Sequence, residues 1–105
     1  MTSIIKSLLL TGIIALLSTS VFAQDGKMLY KTTFCSTCHG LTGKAIVPNY
    51  PSLKGQNAKY MSAQVKDIIS GVRKSNLTIL MTNNPNIKEI SENKIDTITE
   101  YIANP

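Results

Sequence analysis

Tryptophan is absent from this 105-residue chain, phenylalanine occurs twice and tyrosine four times, so a large aromatic core is excluded. Histidine occurs once and cysteine twice. That scarcity rules out a framework of several disulfides, and it leaves a tetrahedral zinc site without a fourth cysteine or histidine. Arg73 is the single arginine, and the lysines are scattered, with no basic run and no interleaved aromatics. Nucleic-acid binding is therefore without support. No internal repeat or low-complexity tract occurs, and the length accommodates one small domain, which excludes a multidomain enzyme.

Long apolar runs are also missing, with one exception at the front. Lys6 and the amino terminus are followed by a run from Leu8 to Leu17 broken by Thr11 and Gly12, and then by Val21-Phe22-Ala23. A short positive region, an apolar stretch and small residues at a cleavage position are the signs of a secretory signal peptide over residues 1–23. The alternative is a retained membrane anchor, but the run is shorter than the roughly 20 residues that a spanning helix needs. Export to the periplasm with no stable membrane span after cleavage is the expectation. The domain then occupies residues 24–105, where ten basic residues face six acidic ones and leave a modest positive charge.

A domain this short buries too little surface to dispense with a staple. A bridge between Cys35 and Cys38 would close a tiny loop and remove little unfolded-state entropy. Three segments carry helical signals. Asp25 can cap a helix running from Gly26 to Thr32. Asn57 can cap a second, along which Met61, Val65, Ile68 and Val72 form one apolar stripe before Gly71 marks the end. Ser91 opens a third, with Glu92 at the positive end of the helix dipole and Ile95, Ile98, Tyr101 and Ile102 along one face. Leu41 to Gln56 and Ser75 to Lys88, rich in Gly, Pro and Asn, read as two long loops, and no alternating strand pattern appears. The fold class is all-α, with loops long enough to wrap something.

Cys35-Ser36-Thr37-Cys38-His39 has the spacing of a c-type haem attachment site. Two thiols three positions apart on a helical turn can reach the two vinyl groups on one porphyrin edge, and the histidine that follows immediately supplies an axial ligand. A thioredoxin-like dithiol shares the cysteine spacing but belongs to a strand-containing fold. If haem c is attached through Cys35 and Cys38, the ligand opposite His39 decides between electron transfer and an open, reactive site. Met61 lies on the apolar stripe, where methionine is ordinarily core filler. Met28 precedes the cysteines on the helix leading into them, too close to pass around the ring. Met81 sits in the second loop with chain enough to reach, and its thioether suits low-spin iron. The alternative is that Met81 is one more loop hydrophobe beside Leu77, Ile79 and Leu80.

Gly26 and Tyr30, Cys35 to Gly40, Tyr50-Pro51-Ser52-Leu53-Lys54-Gly55-Gln56, then Tyr60, Gln64, Gly71, Arg73, Met81 and Tyr101-Ile102 follow one another in an order that resembles the class I c-type cytochromes, the small soluble monohaem electron carriers, and in particular their short bacterial members. The resemblance covers nearly all of residues 24–105. It implies a cytochrome c-like fold of three main helices and long loops around one haem. It implies that the first and last helices cross where Gly26 meets Ile98 and Tyr101, that the carbonyl of Pro51 accepts the Nδ1 proton of His39, and that Leu53 packs on the ring. The polar Asn83-Asn84-Pro85 and the apolar Leu77 to Leu80 depart from the usual loop around the distal ligand. Arg73 being the lone arginine, lysines, tyrosines, Gln56 or backbone amides would contact the propionates.

Function follows as an expectation: a periplasmic electron-transfer protein, not an enzyme, moving one electron on a His39/Met81-ligated haem c between redox proteins. The positive charge would steer it toward acidic docking faces. The alternatives are a haem subunit bound permanently to one dehydrogenase or oxidase, and an open-site sensor or enzyme in which Met81 does not ligate.

Overall fold

The computed structural model describes residues 25–105, and the expected signal segment lies outside them. Among the described residues six helices follow in order: α1 (residues 25–32), α2 (Cys35–His39), α3 (Ala58–Ser70), α4 (Asn76–Thr82), α5 (Pro85–Lys88) and α6 (Glu92–Ala103). No strand occurs among the described residues. The fold is all-α.

Helix ends sit where local chemistry supplies partners for the orphan backbone groups. The Asn57 side chain accepts the Tyr60 N–H, and Gly71 closes α3 in the left-handed conformation. Ser91 accepts from the Lys94 N–H at the start of α6. Two expectations fail at the edges. Asp25 is already a helical residue, so it does not stand as a cap before α1. Val72 falls beyond Gly71 and is 78% exposed, because the left-handed turn carries it off the α3 stripe.

The larger correction concerns Ser75 to Lys88, which is not an irregular loop. Ser75 and Thr78 form a reciprocal capping box, each hydroxyl accepting the other's backbone N–H, at 3.2 and 2.7 Å. Asn84 accepts from the Asn86 N–H, and Pro85 occupies the first turn of α5, where its missing N–H costs nothing. The residues that read as loop punctuation serve here as caps for two short helices.

The core is small. Tyr30 of α1, Met61 of α3, and Ile98 and Ile102 of α6 form its buried cluster, with Leu29, Cys35, Leu53, Ile90 and Tyr101 packed around it. Met61 is therefore core filler. Each such side chain contributes roughly 1.5–3 kcal/mol on burial, a thin total for a domain of this length. Helices α1 and α6 meet at Gly26, where an added Cβ would lie 2.6 Å from Tyr101 Cβ and 3.0 Å from the Thr97 carbonyl oxygen. The nearest atoms at the crossing thus belong to Tyr101, as expected, and to Thr97, while Ile98 is buried in the core cluster. Helices α3 and α6 pack along their apolar faces, and Asp96 Oδ1 accepts from both the Ser62 hydroxyl, at 2.5 Å, and the Lys66 ammonium, at 3.1 Å.

Candidate functional site

The site is assembled on α2, a five-residue helix entered through a sharp turn. Phe34 takes φ 65° and ψ 15°, a left-handed conformation uncommon for a bulky residue, and the chain reverses there from α1 into Cys35. Cys35 is half-buried and Cys38 exposed, and both are free thiols. Burial is the largest influence on the Cys35 thiol and pushes it above its ordinary range. Cys35 is therefore held as the neutral thiol.

His39 ends α2. Its Nδ1 lies 2.9 Å from the carbonyl oxygen of Pro51. A carbonyl can only accept, so Nδ1 carries the proton and donates it, which selects the tautomer whose lone pair is on Nε2.

The segment carrying Pro51 is braced from three directions. The Gly43 carbonyl accepts the N–H groups of Leu53 and Lys54, at 2.6 and 3.1 Å. The Ser52 hydroxyl accepts the Ala45 N–H at 3.0 Å, and Gln56 donates to the Ser52 carbonyl at 2.6 Å. Gly43 itself, at φ 84°, sits so close to α6 that a Cβ would come within 2.8 Å of the Ile102 side chain. Tyr30, fully buried in α1, donates its phenol to the Gly40 carbonyl at 2.6 Å, immediately after His39. Burial raises that phenol well above the usual range, so it stays a donor at any ordinary pH.

Leu53 packs against the Tyr30 cluster. Met81 lies in the last turn of α4 and is half-buried, so it is helical rather than in a loop. Arg73 folds back to donate to the Gln64 side chain at 3.1 Å. Thr33, Gly43 and the Tyr30 phenol were not singled out as site residues in the sequence. Their partners lie up to 59 positions away, and only a proximity of cysteine to a buried threonine could have pointed to the first.

A porphyrin fits this set of groups. The chain offers two free thiols, a histidine with its iron-seeking nitrogen unencumbered, and a surplus of uncovered apolar side chains: Phe34, Leu41, Ile46 and Val47 near the motif, and Leu77, Ile79 and Leu80 beside Met81. Ile46 is 92% exposed. So much exposed aliphatic surface on so small a core marks a site for an apolar group. No group of three or more His, Cys, Asp or Glu side chains that could hold a metal ion on their own occurs among the described residues.

Charge is divided along the chain. Residues 26–66, which contain the whole motif, hold six lysines and no acid, whereas residues 67–105 hold four basic and five acidic residues. No helix among the described residues is long and apolar enough to cross a membrane.

Comparison with known proteins bears on the same residues. The protein-family model for cytochrome c matches residues 23–104. Cytochrome c-554(548) of Halomonas halodenitrificans is 36% identical over 69 residues, which are 66% of this chain and 81% of that protein. Cytochrome c4 of Pseudomonas aeruginosa is 34% identical over 105 residues, which take in 98% of this chain and 48% of its own length. A protein of Stutzerimonas stutzeri named thiosulfate dehydrogenase electron acceptor is 33% identical over 70 residues, covering 67% of this chain and 32% of that one. The chain thus spans about half or less of two of these three relatives. An attachment motif at the start of an all-helical fold, matched over nearly its whole length, places the chain in the cytochrome c family, as a small bacterial c-type cytochrome that carries covalently bound haem c and serves electron transport.

Proposed function

We propose that this cytochrome is an exported one-electron carrier, an electron shuttle rather than an enzyme, directed to the periplasm by a signal peptide over residues 1–23. Cys35 and Cys38 are its attachment thiols, His39 and Met81 its axial ligands, and Pro51 and Leu53 part of the pocket. The observation that carries this reading is the 2.9 Å contact between His39 Nδ1 and the Pro51 carbonyl, which turns Nε2 into the free donor and makes the imidazole a stronger one. Haem c, when bound, supplies a reversible one-electron couple.

The chain's own residues hold the arrangement still. The bonds from Gly43 and Ser52 keep Pro51 against His39, and the Tyr30 phenol holds the backbone at Gly40. Met81, on a capped helix rather than a free loop, is restrained in where its sulfur can go. Met81, by holding the iron through its thioether, would close the site to substrate and raise the potential of the bound haem.

The partners are redox proteins. The name of the Stutzerimonas relative, an electron acceptor for thiosulfate dehydrogenase, supports a redox enzyme as donor. The six lysines without an acid between residues 26 and 66 support partners with acidic docking faces, since they concentrate positive charge on the segment that carries the motif. Such encounters are small and short-lived.

The test is an absorption spectrum of the exported protein in both redox states, beside Met81→Ala. The ferric wild type should show the weak near-infrared band of methionine-ligated haem and refuse carbon monoxide when reduced, and the variant should lose the band and bind carbon monoxide. Ready binding of carbon monoxide by the wild type at neutral pH overturns the closed-site reading, and an unchanged variant shows that another residue is the ligand.

A further inference from the structure

The hydrogen bond that aims His39 closes a circuit of backbone bonds, and one buried side chain ties that circuit to the core. His39 Nδ1 donates to the Pro51 carbonyl at 2.9 Å. Two residues beyond Pro51, the Leu53 N–H donates to the Gly43 carbonyl at 2.6 Å, and the Gly43 N–H donates to the Gly40 carbonyl at 3.2 Å. Gly40 follows His39 in the chain, so the circuit returns to its start. The Gly40 carbonyl also accepts the Tyr30 phenol at 2.6 Å, the shorter of these two bonds and the one that comes from outside the circuit. A carbonyl has no hydrogen to give, so the phenol is the donor. Gly40 lies hard against the Lys44 carbonyl oxygen, which a Cβ would overlap, so the turn from Gly40 to Lys44 moves with it. Tyr30 is fully buried in the cluster with Met61, Ile98 and Ile102, and its ring cannot follow the loop if the loop shifts.

We propose that Tyr30 is a positioning residue for the iron ligand: by holding the Gly40 carbonyl it keeps the Pro51 carbonyl on His39 Nδ1, and so sets how strongly Nε2 donates to iron and where the reduction potential lies. The proposal rests on the reading that His39 is an axial ligand, and it concerns the haem-loaded protein, whose core is complete. The sign follows from charge. A hydrogen bond at Nδ1 raises the electron density of the imidazole, which favours ferric over ferrous iron. Without the phenol, the Gly40 carbonyl keeps the longer bond from Gly43, the circuit relaxes, the bond at Nδ1 weakens and the potential rises. Tyr101 provides a control. Its ring centroid is 6.1 Å from that of Tyr30, yet among the described residues its phenol makes no bond to the circuit.

The test uses the full chain with haem attached by a c-type maturation system. Two readouts are taken that a merely structural role would not move: the reduction potential, and the exchange of the His39 Nδ1 proton into heavy water, followed by nuclear magnetic resonance of the ferrous protein. Tyr30→Phe removes one oxygen and keeps the ring. It should speed the exchange on the order of fivefold, the change that a typical net hydrogen bond supports. It should also shift the ferrous-to-ferric ratio at a fixed ambient potential on the order of threefold toward ferrous, about 30 mV for a one-electron couple. Tyr101→Phe should leave both readouts at their wild-type values. An ortho-fluorinated tyrosine in place of Tyr30 is a stronger donor of nearly the same shape, and it should move both readouts the opposite way. That protein decides the matter if Tyr30→Phe fails to retain haem. Unchanged potential and exchange in Tyr30→Phe overturn the proposal, as does an equal shift in Tyr101→Phe, or a fluorinated protein that matches the wild type. A ferrous wild type without the ring-current-shifted imidazole protons of an axial histidine overturns the ligation reading itself, and is distinguishable because it requires no variant.

Discussion

Replacing Gly26 by alanine sets two effects of opposite sign against each other. In an exposed helix interior the change stabilises by about 0.8–1.0 kcal/mol, since alanine has less backbone entropy to lose. At Gly26 the new Cβ would stand 2.6 Å from Tyr101 Cβ and 3.0 Å from the Thr97 carbonyl oxygen. Carbon atoms prefer a separation of about 3.5–4.0 Å, so α1 must withdraw from α6 by on the order of 1 Å. Neither neighbour can swing aside, because one is the first side-chain atom and the other is backbone. Overpacking of this kind costs typically 1–3 kcal/mol. The withdrawal also disturbs the Tyr30–Tyr101 ring pair, whose centroids are 6.1 Å apart at 56°, a geometry worth about 0.5–1.5 kcal/mol. The expected result is a net destabilisation of about 0.5–3.5 kcal/mol, read from urea unfolding of the haem-loaded protein by far-ultraviolet circular dichroism, with the denaturant slope unchanged. A Tyr101→Ala background should not relieve it, because alanine keeps the offending Cβ. A neutral or stabilising Gly26→Ala would refute the close crossing of α1 and α6.

Two further outcomes follow from the same contacts. Gly43 and Gly55 have nearly the same backbone, at φ 84° and 82°, but Gly55 has open space where a Cβ would go, whereas Gly43 faces the Ile102 side chain and the Lys54 nitrogen. Alanine at Gly55 should cost only the roughly 1–2 kcal/mol of a left-handed residue. At Gly43 overpacking adds to that for a total of about 2–5 kcal/mol, so equal thermal midpoints for the two variants would show that the loop does not press on α6. Asp96 is held below its ordinary value of 3.8, first by the Ser62 hydroxyl and then by the Lys66 ammonium. A carboxyl so depressed stabilises the fold above its unfolded pKa and loses that contribution as pH falls through the folded one. Solvent keeps the contribution small at this half-exposed side chain. Urea midpoints of wild type and Ser62→Ala should differ at neutral pH and begin to converge only as pH falls below about 4 and on through the lowered folded pKa of Asp96, and a gap that widens in acid would contradict the assignment.

The legible parts of the fold were the ones that depend on near neighbours in the chain. Asn57, Gly71 and Ser91 act on backbone groups within four residues, so their roles at the ends of α3 and α6 could be read directly. The face of α6 carrying Ile95, Ile98 and Ile102 was equally plain from its period. Local chemistry also misled. Ser75, Asn84 and Pro85 favour turns and helix starts alike, and nothing within Ser75 to Lys88 says which, so α4 and α5 read as loop in the sequence and Met81 as lying off a helix.

By itself the sequence determined the chemistry: one histidine directly after two cysteines leaves little besides haem attachment, and the shortage of aromatics demands a group to complete the core. Tertiary structure decided what restrains that chemistry. Gly26 finds Tyr101 and Thr97, Gly43 fits beneath Ile102, Ser62 reaches Asp96, and Thr33 meets Cys35 across a left-handed turn. Except for the last, these contacts join residues tens of positions apart, whose closeness depends on how α1, α3 and α6 cross. The crossing is set by shape complementarity over the whole interface, and no single residue carries that information.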